Sequence, residues 1–426
     1  MIREKVFWIL LFIASSTIAQ NELISNLEID GLKRTKESFI RRLVKVKPQS
    51  VYDSIRIATD VERLNRLPGV AKATHTLEKN LDGNYTLTYT IEENFTIIPG
   101  VRIATDNNGE FAYRLSLFEF NLFGRNQLIG GFYQNDEFDS FGFFWEAPYL
   151  FTNKLGLGVN YQNNVNQEPV FFPEQTLNYK FDSKAFEGYV TYEYDFHNNA
   201  QLGVILSDEQ YSFLPEQSEG ALPDDKPEFL NANRVTFRGE YEHNNIEIDY
   251  QYVSGFRSLL DVRLVTGDES EAFLDSFFIG RNDFEYFKRI GSKGNWANRL
   301  RVAYASNNKN PFAPFTLDNQ LNIRGVGNTV DRGTAALVLN TEYRHTFYEK
   351  GWFAIQGNAF VDAGTWRNPG ESISQLFDGT STKLYPGVGI RFIHKRIFNA
   401  VFRLDYGFGI GDNATNGLVF GIGQYF

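Results

Sequence analysis

The sequence predicts a small α+β domain followed by a transmembrane β-barrel of about sixteen antiparallel strands. Three observations carry that reading. Aromatic residues make up 16% of the 426-residue chain, chiefly Phe (40) and Tyr (22), yet the mean hydropathy is -0.34. Past the first residues, no apolar run reaches the roughly 18 residues that a spanning helix needs. From about Thr96 onward the helical period disappears, and apolar and polar residues alternate with period two.

At the N-terminus, Arg3 and Lys5 precede the apolar run "VFWILLFIA", and Thr17 and Ala19 supply small residues behind it. This pattern predicts a secretory signal peptide over residues 1–19. The chain has no cysteine, so disulfides do not staple the fold. Its net charge of -10 and pI near 5.2 argue against a nucleic-acid partner.

Residues 20–95 read as a compact β-α-α-β-β unit. "LISNLEIDG" is a strand ending at Gly31, and Thr35 is placed to cap a helix carrying Phe39, Ile40 and Leu43 on one face. A second helix shows Ile57, Val61 and Leu64 and stops at Pro68-Gly69. Two strands, "VAKATHTLE" and "NYTLTYTIEE", are joined by the hairpin signal Asp82-Gly83.

Residues 96–426 read as the barrel. In "VFRLDYGFGI", Phe402, Leu404, Tyr406, Phe408 and Ile410 share one face, with Arg403 and Asp405 on the other. In "GVGIRF", Val388, Ile390 and Phe392 oppose Arg391; in "FAIQGNAFVDAG", Phe353, Ile355, Ala359 and Val361 oppose Asp362. Counted back from Phe426, short connections ("HKRIFN", "YEKG") alternate with long ones, as in transmembrane barrels. "SDEQYSFLPEQSEGALPDDKPEFLNANR" reads as a further long polar loop. Lipid offers no hydrogen bonds, so spanning strands must belong to a closed barrel. Phe420, Ile422 and Phe426 fall on one outward parity and end an amphipathic strand, in the manner of an outer-membrane barrel signal.

One link, "LNIRGVGNT" (321–329), combines glycines with Arg324. A phosphate cradle would need a helix after the turn, and a strand comes next instead. The other readings are an external loop and a plug inside the barrel. Parity places Glu342 and Arg344 inward, opposite Leu337, Leu339, Tyr343 and Phe347, and places Asp362 inward as well. An inward guanidinium in a narrow lumen requires a carboxylate, and arginine's fork suits two oxygens at once. The five histidines form no H-E-x-x-H, and neither G-x-S-x-G nor a cysteine pair occurs. No enzyme activity, metal or cofactor is expected.

The order of these elements resembles a POTRA domain ahead of a barrel of the outer-membrane assembly family containing BamA, TamA and the two-partner-secretion transporters. Four stretches carry the likeness: "FNLFGRNQL", "IRGVGNT", "LNTEYRHTF" and "AFVDAGTW". The chain has room for one POTRA domain, and Val326 stands where the family usually has an aromatic. The resemblance implies that the "IRGVGNT" loop folds into the lumen. Arg324 and Gly325 would form a latch with Glu342 and Asp362, supported by Arg344, Arg391, Arg403 and Asp405. It implies unfolded outer-membrane or secreted clients, periplasmic or lipoprotein partners, and outer-membrane lipid. The expected function is insertion of barrel proteins into the bacterial outer membrane or translocation of polypeptide across it, with the small domain in the periplasm. A passive pore or structural barrel that binds a periplasmic or lipoprotein partner is the alternative.

Overall fold

A computed structural model describes residues 22–426, except 106–110, 173–174, 219, 268–272, 319–320, 328–330, 380, 399 and 412–413. The expected signal peptide lies outside the described residues.

The small domain contains β1 (Leu23–Asp30), α1 (Glu37–Leu43), β2 (Ser50–Val51), α2 (Ser54–Asn65), β3 (Val70–Lys79) and β4 (Tyr85–Glu93). Its sheet has the order β2-β1-β4-β3, with β1 parallel to β4. The two-residue β2 adds to the β-α-α-β-β order read from sequence. Gln49 (φ 66) turns the chain so that Ser50 and Val51 can pair with Ile24 and Leu23. The core joins Ile24, Leu27, Phe39, Ile40, Leu43, Ile57, Leu64, Leu87 and Tyr89. Asp53 caps α2 by accepting the Ile55 and Arg56 amides. Thr35 does not cap α1: the helix starts after Lys36 without a side-chain cap. Thr35 is instead buried, and its hydroxyl accepts a hydrogen bond of 2.9 Å from Asn121 Nδ2 in the barrel.

The barrel begins three residues after β4. Its first eleven strands, β5 (Ile97–Thr105) through β15 (Gly294–Ala305), are antiparallel neighbours in chain order. Two short strands, β16 (Phe315–Leu317) and β17 (Asp331–Gly333), pair with each other inside the next connection and, among the described residues, join no other ladder. The ladder resumes with β18 (Ala335–Lys350), β19 (Phe353–Arg367), β20 (Lys383–His394), β21 (Val401–Phe408) and β22 (Asn416–Ile422). The result is one sixteen-stranded sheet whose ends are β5 and β22. These two strands lie beside each other, but among the described residues no ladder pairing joins them.

Side chains alternate as a barrel in lipid demands. Leu339, Tyr343, Val361, Val388, Phe402 and Leu404 are exposed, whereas Asn340, Glu342, Arg344, Asp362, Arg391 and Arg403 are buried. The long polar loop read over 207–234 is shorter than expected, because β11 continues to Phe213 and β12 starts at Phe229. A membrane span takes about 9–11 strand residues, and β10 and β12 have 21 each. Their excess carries the ladder beyond the lipid, where outward residues need not be apolar, so polar composition hid the strand. Val170, Phe172, Leu177, Tyr179, Tyr211 and Phe312 form a core over that extension.

The small domain docks against the opposite end of the barrel. Arg63, on the last turn of α2, makes a bidentate ion pair with Glu193, and both are buried. Arg66 stacks on Phe196 at 4.2 Å and donates to the carbonyls of Phe196, Asn244 and Ile246. The "NLFG" turn meets the start of α1: the Lys36 amide donates to the Gly124 carbonyl at 2.9 Å. Gly124 has φ 68, and a Cβ there would lie 2.2 Å from the Arg34 carbonyl oxygen.

Candidate functional site: a loop held in the barrel lumen

The connection from β15 to β18 turns back into the barrel and delivers Arg324 to the facing wall. Arg324 is fully buried. Its Nε and Nη2 reach Asp362 Oδ2 and Oδ1 at 2.8 and 2.9 Å, a bidentate fork of the kind guanidinium geometry favours. Nη1 reaches Glu342 Oε2 at 2.5 Å, and the Arg324 amide donates to Asp362 Oδ2 at 3.0 Å. Glu342 and Asp362 stand on the paired strands β18 and β19, both with 0% side-chain exposure.

The charges extend along the wall. Glu342 also pairs with Arg344, and Arg391 Nη2 lies 3.5 Å from its Oε2. Asp405 takes Arg391 at 2.7 Å and Arg403 at 3.5 Å, and lies 3.8 Å from Arg324. Four arginines thus face three carboxylates in a space closed to solvent. Charges so enclosed are tolerated only when paired, and removing one strands its partner.

Backbone fit brings the loop this close. Gly325 (φ 93) lies flat on Gly407 of β21: a Cβ on Gly407 would fall 2.1 Å from the Arg324 carbonyl oxygen. Thr415 Oγ1 lies 3.0 Å from the Gly325 oxygen and 2.9 Å from that of Val326, and donates there. Val326 and Ile323 are buried with Leu317, Val338, Trp366 and Tyr385. An aromatic role next to the arginine is filled from elsewhere, by the rings of Phe360 and Tyr425, 3.6 and 4.4 Å from the guanidinium carbon.

The structure therefore brings Arg324, Gly325, Glu342, Asp362, Arg344, Arg391, Arg403 and Asp405 into one network. Asn328 and Thr329 of the motif lie outside the described residues. Further residues that the sequence did not single out also hold the loop. Arg299 Nη2 donates to the Leu321 carbonyl at 2.5 Å, Arg301 Nη1 to Asn322 Oδ1 at 3.0 Å, and Asn340 Nδ2 to the Asn322 carbonyl at 2.8 Å. Their inward parity was readable, but the loop backbone they hold was not.

Phe426 departs from expectation. Phe420 and Ile422 stay on β22, but Gly423 (φ 88) turns the chain off the ladder. Phe426 then lies inside the barrel, 6.4 Å from Phe287 between ring centroids, and its carbonyl oxygen accepts from Arg344 Nη2 at 3.2 Å. Period-two counting fails past a residue that leaves the strand, so Phe426 does not share the outward face. Among the described residues, no group of three or more His, Cys, Asp or Glu is placed to hold a metal ion.

Comparison with known proteins agrees with this architecture. Residues 23–94 match the family model "POTRA: Surface antigen variable number repeat". No curated protein matches the chain. Among solved structures, BamA from Haemophilus ducreyi lacking POTRA domains 1–3 aligns over 94% of this chain and 84% of its own, with a TM-score of 0.56 and 14% identity. CdiB from Acinetobacter baumannii aligns over 94% and 73%, with a TM-score of 0.60 and 14% identity. CdiB from Escherichia coli aligns over 94% and 75%, with a TM-score of 0.62 and 10% identity. At such identities the likeness is one of fold.

Proposed function

We propose that this chain, a single POTRA domain joined to a sixteen-stranded barrel of the BamA and CdiB fold, handles unfolded polypeptides at the bacterial outer membrane. It inserts barrel proteins into that membrane or passes a polypeptide across it. The observation that carries this reading is the loop latch. A barrel whose lumen is crossed by a loop, clamped through a buried arginine onto two carboxylates, is built to be closed at rest and opened by a partner.

Two further features support it. The ends of the sheet, β5 and β22, share no ladder among the described residues, so backbone donors and acceptors at that seam are available to another strand. The small domain, lying in the periplasm beneath the barrel, has sheet edges of its own to which an extended client can add. The exposed aromatic and aliphatic residues of the strands support a barrel set in lipid. Secretory targeting through residues 1–19 is part of the same proposal.

A passive pore is the competing reading, and planar-bilayer conductance separates the two. The latched barrel should conduct poorly and in irregular bursts. A steady, ohmic open state in the unmodified protein would contradict the proposal.

A further inference from the structure

The first three strands of the barrel set two arginines against each other on the lumen side. β5 pairs with β6 (Phe111–Leu122), and β6 pairs with β7 (Gln127–Asp136). In that register Arg102 stands directly opposite Arg114, and Arg114 directly opposite Gln134. The neighbouring Val101 and Leu115 are exposed on the outer face, so the two arginines point inward, where both are half-buried. Like charges directly opposite each other in a ladder are destabilising. This ladder has no second support, because β5 ends the sheet and β6 is its one ladder partner among the described residues.

The protein leaves the charge of this pair unanswered. Arg102 Nη2 and Arg114 Nη1 both donate to Gln134 Oε1, at 3.1 and 3.4 Å. That shared acceptor is neutral, and Asp136 orients it by accepting from Gln134 Nε2 at 2.6 Å. The Phe132 ring centroid lies 3.5 Å from the Arg114 guanidinium carbon and fixes the plane of the fork. Among the described residues, no carboxylate comes within ion-pair distance of either arginine. Asp136 and Asp318 act on Arg102 only through space, and Asp318 already accepts from the Leu321 amide at 2.7 Å and from Asn322 Nδ2 at 3.1 Å. Elsewhere on the wall, Arg238, Arg257, Arg301 and Arg324 are each paired with at least one carboxylate. Each guanidinium of the Arg102–Arg114 pair spends one N–H on Gln134 and keeps its other donors.

We propose that Arg102 and Arg114 form a binding site for one dianionic oxyanion, of the phosphate or sulfate class, which bridges β5 to β6. Directly opposed residues hold their Cβ atoms about 5 Å apart, a spacing that one tetrahedral anion spans. Guanidinium forks match the oxygens of such an ion two at a time. Two fixed positive charges favour a dianion over a monoanion. The site faces the lumen and is turned away from lipid, so the ion comes from solution and not from a lipid headgroup. Once bound, it converts a like-charge pair into a bridge and fastens the end strand of the sheet to its neighbour. The site needs only the barrel and is independent of the polypeptide-handling reading above.

The test uses the full chain in a non-ionic, lipid-free detergent. It is titrated with sodium sulfate at millimolar concentration and, at matched ionic strength, with sodium acetate. Isothermal titration reads binding, and hydrogen exchange reads the amides of β5 and β6. Sulfate should bind and slow that exchange several-fold, inorganic phosphate should do the same, and acetate should do neither. A response in the absence of lipid shows that a free ion suffices. Arg102→Gln and Arg114→Gln, made separately so that one folded variant is enough, should each weaken sulfate binding roughly tenfold and remove the slowing. Arg281→Gln on β14 (Phe277–Ile290) changes another arginine that makes no ion pair among the described residues, and it should keep both responses. Without sulfate, exchange in the two glutamine variants should be no faster than in the unmodified chain, because a like-charge pair has been relieved. The proposal is overturned by no response to sulfate, by an equal response to acetate, or by a response that survives both substitutions or is lost equally in Arg281→Gln. Binding that leaves exchange unchanged overturns the bridge, as does faster exchange in both glutamine variants without sulfate.

Discussion

Arg324→Ala is the perturbation whose consequence comes most directly from the geometry. The substitution keeps the backbone amide on Asp362 Oδ2 but removes both side-chain donors from that carboxylate. Glu342 is less affected, because Arg344 and Arg391 remain beside it. Asp362 is the stranded charge, fully buried on β19. Breaking a buried pair this way costs about 3–5 kcal/mol, and at about 1.4 kcal/mol per decade the docked loop loses roughly 100- to 4,000-fold in its equilibrium over the undocked one. The chain contains no cysteine, so a single reporter can be read cleanly. Val326→Cys, at a buried tip position, should react slowly with a maleimide and much faster once Arg324→Ala is added. Asp362→Ala should accelerate labelling as well, and the double variant should fall well short of the sum, since the shared contact is lost once. Arg324→Lys should lie between, lacking the two-pronged geometry. Strict additivity, or labelling that ignores Arg324, would refute the latch.

Two further predictions concern the junction of domain and barrel. Gly124→Ala meets both a left-handed φ of 68 and a Cβ placed 2.2 Å from the Arg34 carbonyl oxygen. It should undock the small domain and raise proteolysis within residues 94–96 several-fold; unchanged cleavage would contradict this account of the turn. The second concerns pH. Burial pushes the Glu93 carboxyl up, but hydrogen bonds from the Arg34 and Thr35 amides, joined by the Thr35 side chain and the Lys33 backbone, outweigh it and hold it below its ordinary 4.5. A depressed carboxylate contributes stability that is fully present above the unfolded value and is lost as pH falls through the folded one. Cleavage of the junction should therefore increase below about pH 4.5, the ordinary value, and Glu93→Gln should flatten that dependence. An unaltered pH profile in the variant would show that other groups control it.

Much of this molecule is legible in period and spacing. Period two sorts Glu342, Arg344, Asp362, Arg391, Arg403 and Asp405 from the lipid-facing residues, because a closed sheet leaves each side chain only two environments. The helix-to-strand change of period separates the small domain from the barrel at about Thr96. What escaped has local causes. The parity of Phe426 was counted through Gly423, where the strand has already ended. The outer halves of β11 and β12 look like a polar loop because they extend past the lipid that would demand apolar residues. Thr35 satisfies the composition of a helix cap but is claimed by Asn121, 86 residues away in the chain. The pairs Arg63–Glu193 and Arg66–Phe196 join distant segments by residue types that are ordinary on any surface, so no spacing rule selects them.

The central claim, that the barrel acts on other polypeptides at the outer membrane, is tested most directly by removal. Controlled depletion of the protein should be coupled to a quantitative census of outer-membrane and exported proteins. The account predicts a loss beyond the depleted chain itself: many barrel proteins if it inserts them, or one exported polypeptide if it is a dedicated transporter. Depletion that leaves every other outer-membrane and exported protein at its original level would contradict it.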